Sequence, residues 1–325
     1  MRALELVGYF QDYQLTWSYL LDQLVAGLTL GSLYGLIAIG YSMVYGILKL
    51  LNFAHGEVFM IGSYIGYFVL TAFGGAADPT IPYALLIALM FAAAMLGAGG
   101  LGVVIERFAY RPLRVKRAPR IAPLISALGV SFCLQQLAVI CFGSVPKQYN
   151  AYAFDGGSLF TMISIGPFEI QYMQLFVIVT TVVLMAGLTI FVARTQVGRA
   201  MRATSFDLEA ASMMGINVDR VIAFTFLVGS ALAGAAGVMT GVVFGNIQPY
   251  MGFGAGLKAF TAAVVGGIGN IKGAMLGGMI IGVAEQLTIG YLSSAFQDLI
   301  VLSILVLFML FRPTGIFGSP VLKKV

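Results

Sequence analysis

Residues 24–48 read LVAGLTLGSLYGLIAIGYSMVYGIL and contain no charged side chain. As a helix rising 1.5 Å per residue, this run would cross a hydrocarbon core of roughly 30 Å, which takes about 20 apolar residues. The stretches are continuously apolar, whereas the strands of a membrane β-barrel alternate. The sequence therefore predicts an all-α integral membrane protein. Five further stretches are equally free of charge: 58–77, 79–105, 121–146, 170–193 and 221–257.

The overall composition agrees with a lipid environment. Of the 325 residues, 60% are hydrophobic and 10% are charged, whereas about 25% are charged in typical soluble domains. We expect one transmembrane domain over residues 1–325. The first 23 residues contain Glu5, Asp12 and Asp22 and lack a basic start followed by an apolar run, so we expect no cleaved signal peptide.

The basic residues are grouped in three segments. Six Lys and Arg residues lie in 107–120, four lie in 194–220, and three more are Arg312, Lys323 and Lys324. Cytoplasmic loops of membrane proteins collect Lys and Arg, which places these segments inside the cell. Topology thus explains the net charge of +5, and we expect no nucleic-acid partner.

The C-terminal half leaves the number of spans open. In residues 254–290, many glycines together with Lys258, Asn270 and Lys272 interrupt the apolar pattern. Two short helices and a re-entrant pair both fit this region. We therefore predict a bundle of about eight to ten transmembrane helices with broken or re-entrant segments.

A polar segment, Asn52-Phe53-Ala54-His55-Gly56-Glu57, interrupts the N-terminal apolar half and contains the single histidine of the chain. It fits a cytoplasmic turn, in which Glu57 lies at the start of the next helix. It equally fits a helix break inside the membrane, buried in protein or facing a water-filled cavity. Ionisable residues in membrane-spanning sequence are costly and are by default functional. Asn52, His55, Gly56 and Glu57 are therefore candidate pathway or gate residues.

Glycine is enriched, with 41 residues against a usual fraction of about 7%. Small residues at every fourth position line one face of a helix and allow close helix packing in lipid. The pattern also fits an internal duplication of the kind that transporters use, although no residue-level repeat is visible. The two predicted packing ladders are Gly27, Gly31 and Gly35, and Gly237, Gly241 and Gly245.

The loop of residues 194–220 contains a short amphipathic helix, which begins near Asp207 and is ended by Gly215. A helix in a cytoplasmic loop, flanked by charges, fits a docking element. For an arbitrary membrane protein, a solvated connector fits as well or better. The candidate docking residues are Asp207, Glu209, Ala210, Ala211, Gly215, Asp219 and Arg220.

Several nucleotide-binding, metal-binding and catalytic motifs are missing from the sequence. The glycine-rich run 266–273 lacks both the glycine before lysine and the hydroxyl after it that a P-loop needs. The sequence has no His-Glu-x-x-His, no cysteine cluster and no nucleophile elbow. We therefore expect neither an enzyme nor a metal site, and no ATP bound by this chain.

Three of these segments together resemble the LivH-type permeases of bacterial high-affinity branched-chain amino acid transport. They are residues 52–57, the pattern Glu209-Ala210-Ala211-x-x-x-Gly215, and residues 258–269, which read KAFTAAVVGGIG. The resemblance extends from about Gly27 to the closing 313–316.

The resemblance implies the permease subunit of an ATP-binding-cassette (ABC) importer in the bacterial inner membrane. Its partners would be a second, LivM-like permease, two cytoplasmic ATPase subunits that bind ATP and Mg, a periplasmic binding protein and membrane lipid. The loop 194–220 would hold the coupling helix that fits a groove on an ATPase. The further Leu-Pro element of the ABC importer pattern is missing here, where Phe226-Leu227-Val228 follows. The resemblance also favours a substrate-pathway or gating role for residues 52–57.

Other functions remain in competition at this point. The same machine could carry urea, short amides or other amino acids instead of leucine, isoleucine and valine, because the binding protein largely sets the substrate. A stand-alone channel or ion-coupled transporter would need more ionisable residues within its spans. A membrane enzyme lacks its catalytic groups.

Overall fold

The computed structural model describes residues 17–116, 118–119, 121–149, 161–165 and 168–318. Glu5 and Asp12, on which the signal-peptide argument partly rests, and the basic residues Lys323 and Lys324 lie outside these ranges. The helices are α1 (Trp17–Leu48), α2 (His55–Ala72), α3 (Tyr83–Ile105), α4 (Arg111–Val115), α5 (Ile121–Phe142), α6 (Tyr172–Arg194), α7 (Gln196–Phe206), α8 (Leu208–Met213), α9 (Val218–Phe244), α10 (Met251–Gly266), α11 (Ile271–Tyr291) and α12 (Gln297–Phe311). A π-helical turn, Glu106–Tyr110, joins α3 to α4, and a 3₁₀ turn, Ser294–Phe296, precedes α12.

Two short antiparallel ribbons are the strands among the described residues. Strand β1 (Lys147–Gln148) pairs with β4 (Asn246–Ile247), and β2 (Met162–Ile165) pairs with β3 (Phe168–Gln171). Next to the first ribbon, the Tyr149 hydroxyl donates to the Ser63 carbonyl at 2.5 Å. Burial raises the pKa of Tyr149, so the hydroxyl keeps its proton and remains a donor. The loop after α5 is thereby attached to α2.

Seven helices in the described part of the chain are long and apolar enough to cross a membrane. They are α1, α3 with its extension, α5, α6, α9, α11 and α12 with its 3₁₀ turn. Helix α2 has 18 residues, including His55 and Glu57, and α10 has 16 residues. The seven candidate spans confirm the predicted all-α polytopic bundle, and the span count of about eight to ten stays a prediction.

The basic segments orient these helices. With 107–120, 194–220 and Arg312 inside, α3, α6 and α12 run inward and α9 runs outward. Helix α10 then returns inward and α11 runs outward. For the region 254–290 the sequence fitted two short helices or a re-entrant pair, whereas the structure has one helix of 16 residues, α10, and one of 21 residues, α11.

Helices α1 and α9 form the buried centre, whereas α5, α6 and α12 expose most of their apolar side chains. Helices α1 and α11 are antiparallel and in very close contact. A Cβ atom added to Gly27 or Gly31 would lie 2.7 Å from the Cα atom of Val283 or Met279. Without side chains at these positions, the two backbones approach closely enough to gain dispersion contacts that replace a hydrophobic drive in lipid.

The glycines of the second ladder have two different roles: Gly237 and Gly241 allow close packing, and Gly245 ends a helix. An added Cβ at Gly237 would be 2.7 Å from the Ser63 nitrogen, and one at Gly241 would be 2.5 Å from the Tyr149 ring. Gly245 has no neighbouring atom within 4 Å of such a Cβ, and its φ of +73° ends α9 in the left-handed conformation. Gly245 is thus a helix cap, which corrects the prediction that it packs against another helix.

Candidate functional site

The polar segment between α1 and α2 is a helix break enclosed by protein. Lys49, with φ +53°, follows the last residue of α1 in the left-handed conformation, and α2 begins six residues later at His55. The exposed fractions of Asn52, His55 and Glu57 are only 2%, 1% and 1%. The break therefore lies buried within the protein, one of the two arrangements that fitted the sequence.

Asn52 is held by the cytoplasmic end of α3. The Tyr110 hydroxyl donates to Asn52 Oδ1 at 3.0 Å. Tyr110 lies in the π-helical turn, in which the Arg111 N–H donates to the Glu106 carbonyl five residues earlier. Pro112 follows and has no N–H for a regular α-helical bond, which accounts for the irregular turn at this point.

His55 packs directly on α1. Any side chain at Gly40 would overlap the His55 ring, and the ring of Tyr41 meets it edge-on with centroids 4.9 Å apart. Gly40 precedes the end of α1 by eight residues, about 12 Å along a helix. His55 Nε2 is buried and has no hydrogen-bond partner among the described residues.

Glu57 joins α2 to α5 and α10. Its Oε1 accepts a hydrogen bond from the Ser131 hydroxyl at 3.2 Å. Its Oε2 is buried, without a partner among the described residues, and it occupies the space that a side chain at Gly252 would need. Gly56 is equally close to α10, because a Cβ on Gly256 would lie 2.9 Å from the Gly56 Cα atom.

Helices α1, α2, α5 and α10 and the turn that follows α3 thus meet at this break. It contains two buried polar atoms, His55 Nε2 and Glu57 Oε2, without a hydrogen-bond partner among the described residues. A solute reaches them only if the surrounding helices separate, since both side chains are 1% exposed. The role of Asn52, His55, Gly56 and Glu57 as pathway or gate residues stays a prediction.

The short helix in the cytoplasmic loop is α8, and its two ends have defined caps. The Asp207 carboxylate accepts hydrogen bonds from the N–H groups of Glu209 and Ala210 at 2.9 and 3.1 Å, which caps the N-terminus. At the C-terminus, the Ile216 N–H donates to the Ala211 carbonyl and the Gly215 N–H to the Ser212 carbonyl. Gly215 has φ +82°, so this pair of bonds forms a Schellman motif that favours glycine.

Three large apolar side chains of this loop face solvent. Phe206, Met213 and Met214 are 91%, 85% and 83% exposed. Glu209 and Ala210 are also exposed, whereas Ala211 is buried against the protein. Adjacent exposed apolar side chains on a cytoplasmic loop are typical of a protein-binding surface.

Asp219 lies apart from this exposed tip and attaches the end of the loop to α4. Its carboxylate pairs with Arg111 at 3.0 Å and with Arg114 at 2.7 Å, and Arg114 also pairs with Glu106 at 3.0 Å. The Arg220 N–H is bonded to the Asn217 side chain at 3.0 Å, within the cap of α9. Asp219 and Arg220 therefore lie at the base of the loop, in the first turn of α9.

The sequence did not reveal a second cluster of polar side chains, in which the buried Glu285 and the exposed Asp298 both pair with Lys258. The Lys258 ammonium is 2.6 Å from Glu285 and 2.8 Å from Asp298. The signal was present as three charges within apolar helices, but their pairing depends on how α10, α11 and α12 pack. Tyr110 and Ser131, the partners of Asn52 and Glu57, were missed for the same reason.

Comparison with known proteins gives consistent results over nearly the whole chain. A family model described as "Branched-chain amino acid transport system / permease component" matches residues 23–310. The chain is 47% identical to the high-affinity branched-chain amino acid transport system permease protein BraD of Pseudomonas aeruginosa, over 94% of this chain and 98% of that protein. It is equally 47% identical to LivH of Escherichia coli strain K12, with the same coverage of both chains. A probable LivH of Methanocaldococcus jannaschii is 31% identical over 87% of this chain and 88% of that protein.

Proposed function

The chain belongs to the family of branched-chain amino acid transport permease components, and on this premise we propose that it is the permease subunit of an ABC importer for leucine, isoleucine and valine. The observation that carries the proposal is 47% identity over 94% of the chain to permeases of this transport system. The seven helices of the described residues that are long and apolar enough to cross a membrane provide the multi-pass architecture that such a role needs. The chain is a transport component, and the same role for urea, short amides or other amino acids is the alternative.

The proposed assembly contains further subunits. A second related permease would complete the pathway, and a periplasmic binding protein would deliver the amino acid. Two cytoplasmic ATPases would bind ATP and Mg and perform the hydrolysis, so that this chain needs no cofactor of its own. The assembly is assigned to the bacterial inner membrane. The exposed apolar faces of α5, α6 and α12 provide surface for the second permease and for lipid.

The loop 194–220 is suited to transmit motion from an ATPase to the helix break. Its exposed tip leads directly into α9, and Asp219 attaches the base of the loop to Arg111 and Arg114. Helix α9 in turn packs on α2, because a Cβ on Gly62 would lie 2.5 Å from the Gly234 Cα atom. A displacement of the loop would therefore move α9 against α2, which begins at the break.

Uptake of labelled leucine at submicromolar concentration, in cells with and without this gene, tests the proposal. We expect ATP-dependent uptake to be lost with the gene, and isoleucine and valine to compete for it in its presence. If leucine uptake persists in cells that lack both this gene and a compensating relative, the proposed substrate is contradicted. The same assay with urea and short amides as competitors then tests the alternative.

Met213→Asp is expected to abolish docking of an ATPase and to lower leucine uptake at least about tenfold. The side chain is 85% exposed, so the change places a charge on the proposed contact surface without disturbing the fold. Truncation of a residue that anchors an interface costs about 2 kcal/mol or more of binding free energy, which weakens the affinity about 30-fold. Co-purification of the ATPase and uptake in cells are the measurements. Val145→Asp is the matched control, since Val145 is 68% exposed in the outer loop after α5. Equal co-purification of both variants would argue against a coupling role for α8.

A further inference from the structure

A cavity of about 810 Å³ opens at the cytoplasmic side of the bundle. Its lining comes from the ends of α1 and α6, from α7, from the start of α11 and from the segment after α12. All these parts lie at the cytoplasmic membrane boundary in the topology given above. The volume is within the range of about 300–1,000 Å³ that is usual for ligand sites.

The cavity is strongly cationic. Lys49, Arg202 and Lys272 line it, and no Asp or Glu is among its lining residues. Within the described residues, none of the three forms an ion pair. Arg202 donates to the Val192 carbonyl at the end of α6, and the Lys49 ammonium lies 5.9 Å from the centroid of the Tyr45 ring. Three unneutralised charges in one cavity favour an anionic ligand.

Polar residues and a helix end accompany these charges. Thr189, Ser205 and Thr314 are part of the lining, and the Thr189 and Ser205 hydroxyls donate to the carbonyls of Met185 and Arg202. The N-terminus of the 21-residue helix α11 also lies here, capped by the Asn270 side chain, and its partial positive charge adds to that of Lys272. The side chains of Lys and Arg bind phosphate oxygens in proteins.

The cavity also has an apolar side, which favours a lipid over a small soluble anion. Val192, Ile268 and Phe317 line it, and α6, which contributes Val192, exposes further apolar side chains, among them Val183 and Ile190 at 62% and 59%. A ligand with a phosphate group and an attached apolar part would satisfy both sides at once. Basic pockets between transmembrane helices on the cytoplasmic side are suited to anionic headgroups.

We propose that this cavity binds the headgroup phosphate of an anionic phospholipid of the cytoplasmic leaflet through Lys49, Arg202 and Lys272. Arg202 and Ser205 belong to α7, within the loop 194–220, whereas Lys49 follows α1 and Lys272 begins α11. A bound headgroup would therefore hold the loop against the end of α1 and the start of α11. This binding does not depend on which solute the permease carries.

The test uses the purified full chain in detergent, titrated with phosphatidylglycerol, phosphatidylcholine or inorganic phosphate and examined by native mass spectrometry. We expect phosphatidylglycerol to bind at least about tenfold more tightly than phosphatidylcholine. The triple variant K49Q/R202Q/K272Q should weaken phosphatidylglycerol binding by roughly 10- to 100-fold, since each cation near an anionic membrane surface contributes about 1 kcal/mol, a factor of about five. Thermal unfolding without added lipid verifies that the variant is folded.

The control variant R107Q/K116Q/R199Q removes the same number of charges from the cytoplasmic side outside the cavity. We expect it to change phosphatidylglycerol binding less than about threefold. An equal loss in the control would show general attraction to a basic surface and would overturn the site. Tight binding of inorganic phosphate that displaces phosphatidylglycerol would overturn the lipid as ligand and assign the cavity to a soluble phosphate compound.

Discussion

Gly282→Val is expected to prevent the close contact between α1 and α11. As a result, the yield of folded protein in detergent should fall strongly. Gly282 lies on α11 opposite Gly27 and Gly31 of α1, and any side chain there would overlap the Gly31 backbone. About one helical turn earlier in the same contact, a Cβ on Gly278 would lie 2.5 Å from the Gly35 Cα atom. A backbone cannot give way as a flexible side chain does. We therefore expect a cost at or above the upper end of the roughly 1–3 kcal/mol usual for overpacking.

The yield of monodisperse protein and its thermal unfolding in detergent measure this effect. Gly129→Val and Gly187→Val are the matched controls, because these helical glycines on α5 and α6 have no atom within 4 Å of an added Cβ. We expect the controls to retain wild-type yield and Gly282→Val to lose at least about fivefold. Wild-type yield and unfolding temperature in Gly282→Val would contradict the close α1–α11 contact.

Long uncharged runs allowed most spans to be located from the sequence. The uncharged stretch 221–257 contains most of α9, Val218–Phe244, because a helix in lipid avoids charged side chains. The short helix before Gly215 is also observed, as α8. Its signals are local: a side-chain cap at Asp207 and a left-handed glycine eight residues later.

The helix break and α10 were harder to predict, since both mix polar residues with apolar sequence. His55 and Glu57 lower the hydropathy at the start of α2, although both are buried in protein. Their partners are distant in the sequence: Ser131 is 74 residues from Glu57, and Tyr110 is 58 residues from Asn52. Such pairings depend on helix packing, which no local pattern records.

Gly245 shows a related difficulty. It continues the four-residue spacing of Gly237 and Gly241, so the pattern predicts a third packing position. Packing requires a neighbour, and the helix ends here instead, with Gly245 at φ +73°. Spacing alone does not distinguish a glycine that packs from one that caps, because both uses exploit the absence of Cβ.

Lys258 interrupts the apolar pattern of residues 254–290, and its ion-pair partners lie on other helices. The structure places its ammonium between Glu285 and Asp298, and its side chain is 15% exposed. The two carboxylates differ sharply, since the Glu285 side chain is 4% exposed and that of Asp298 is 67% exposed. Water screens the pair with Asp298 but hardly reaches the pair with Glu285. The two pairs should therefore differ in their contribution to stability.

Lys258→Met is expected to lower the free energy of unfolding by about 3–5 kcal/mol, the range for removing one partner of a buried pair. The loss comes from Glu285, which would remain buried with an uncompensated charge. Asp298→Asn is the matched control and should cost at most about 1 kcal/mol, because exposed pairs contribute little. Thermal unfolding of the purified variants in detergent provides the comparison.

The double variant K258M/E285Q decides whether the cost of Lys258→Met comes from the buried charge or from lost packing. With the carboxylate replaced by a neutral amide, nothing charged remains buried at this site, so we expect most of the lost stability to return. A double variant as unstable as Lys258→Met alone would mean that the lysine stem, packed between α10 and α11, supplies the stability. Recovery would instead show that the lysine is required because Glu285 is present. The ion pair would then hold α10 to α11 in the first half of α10, which also contacts the helix break through Gly252 and Gly256.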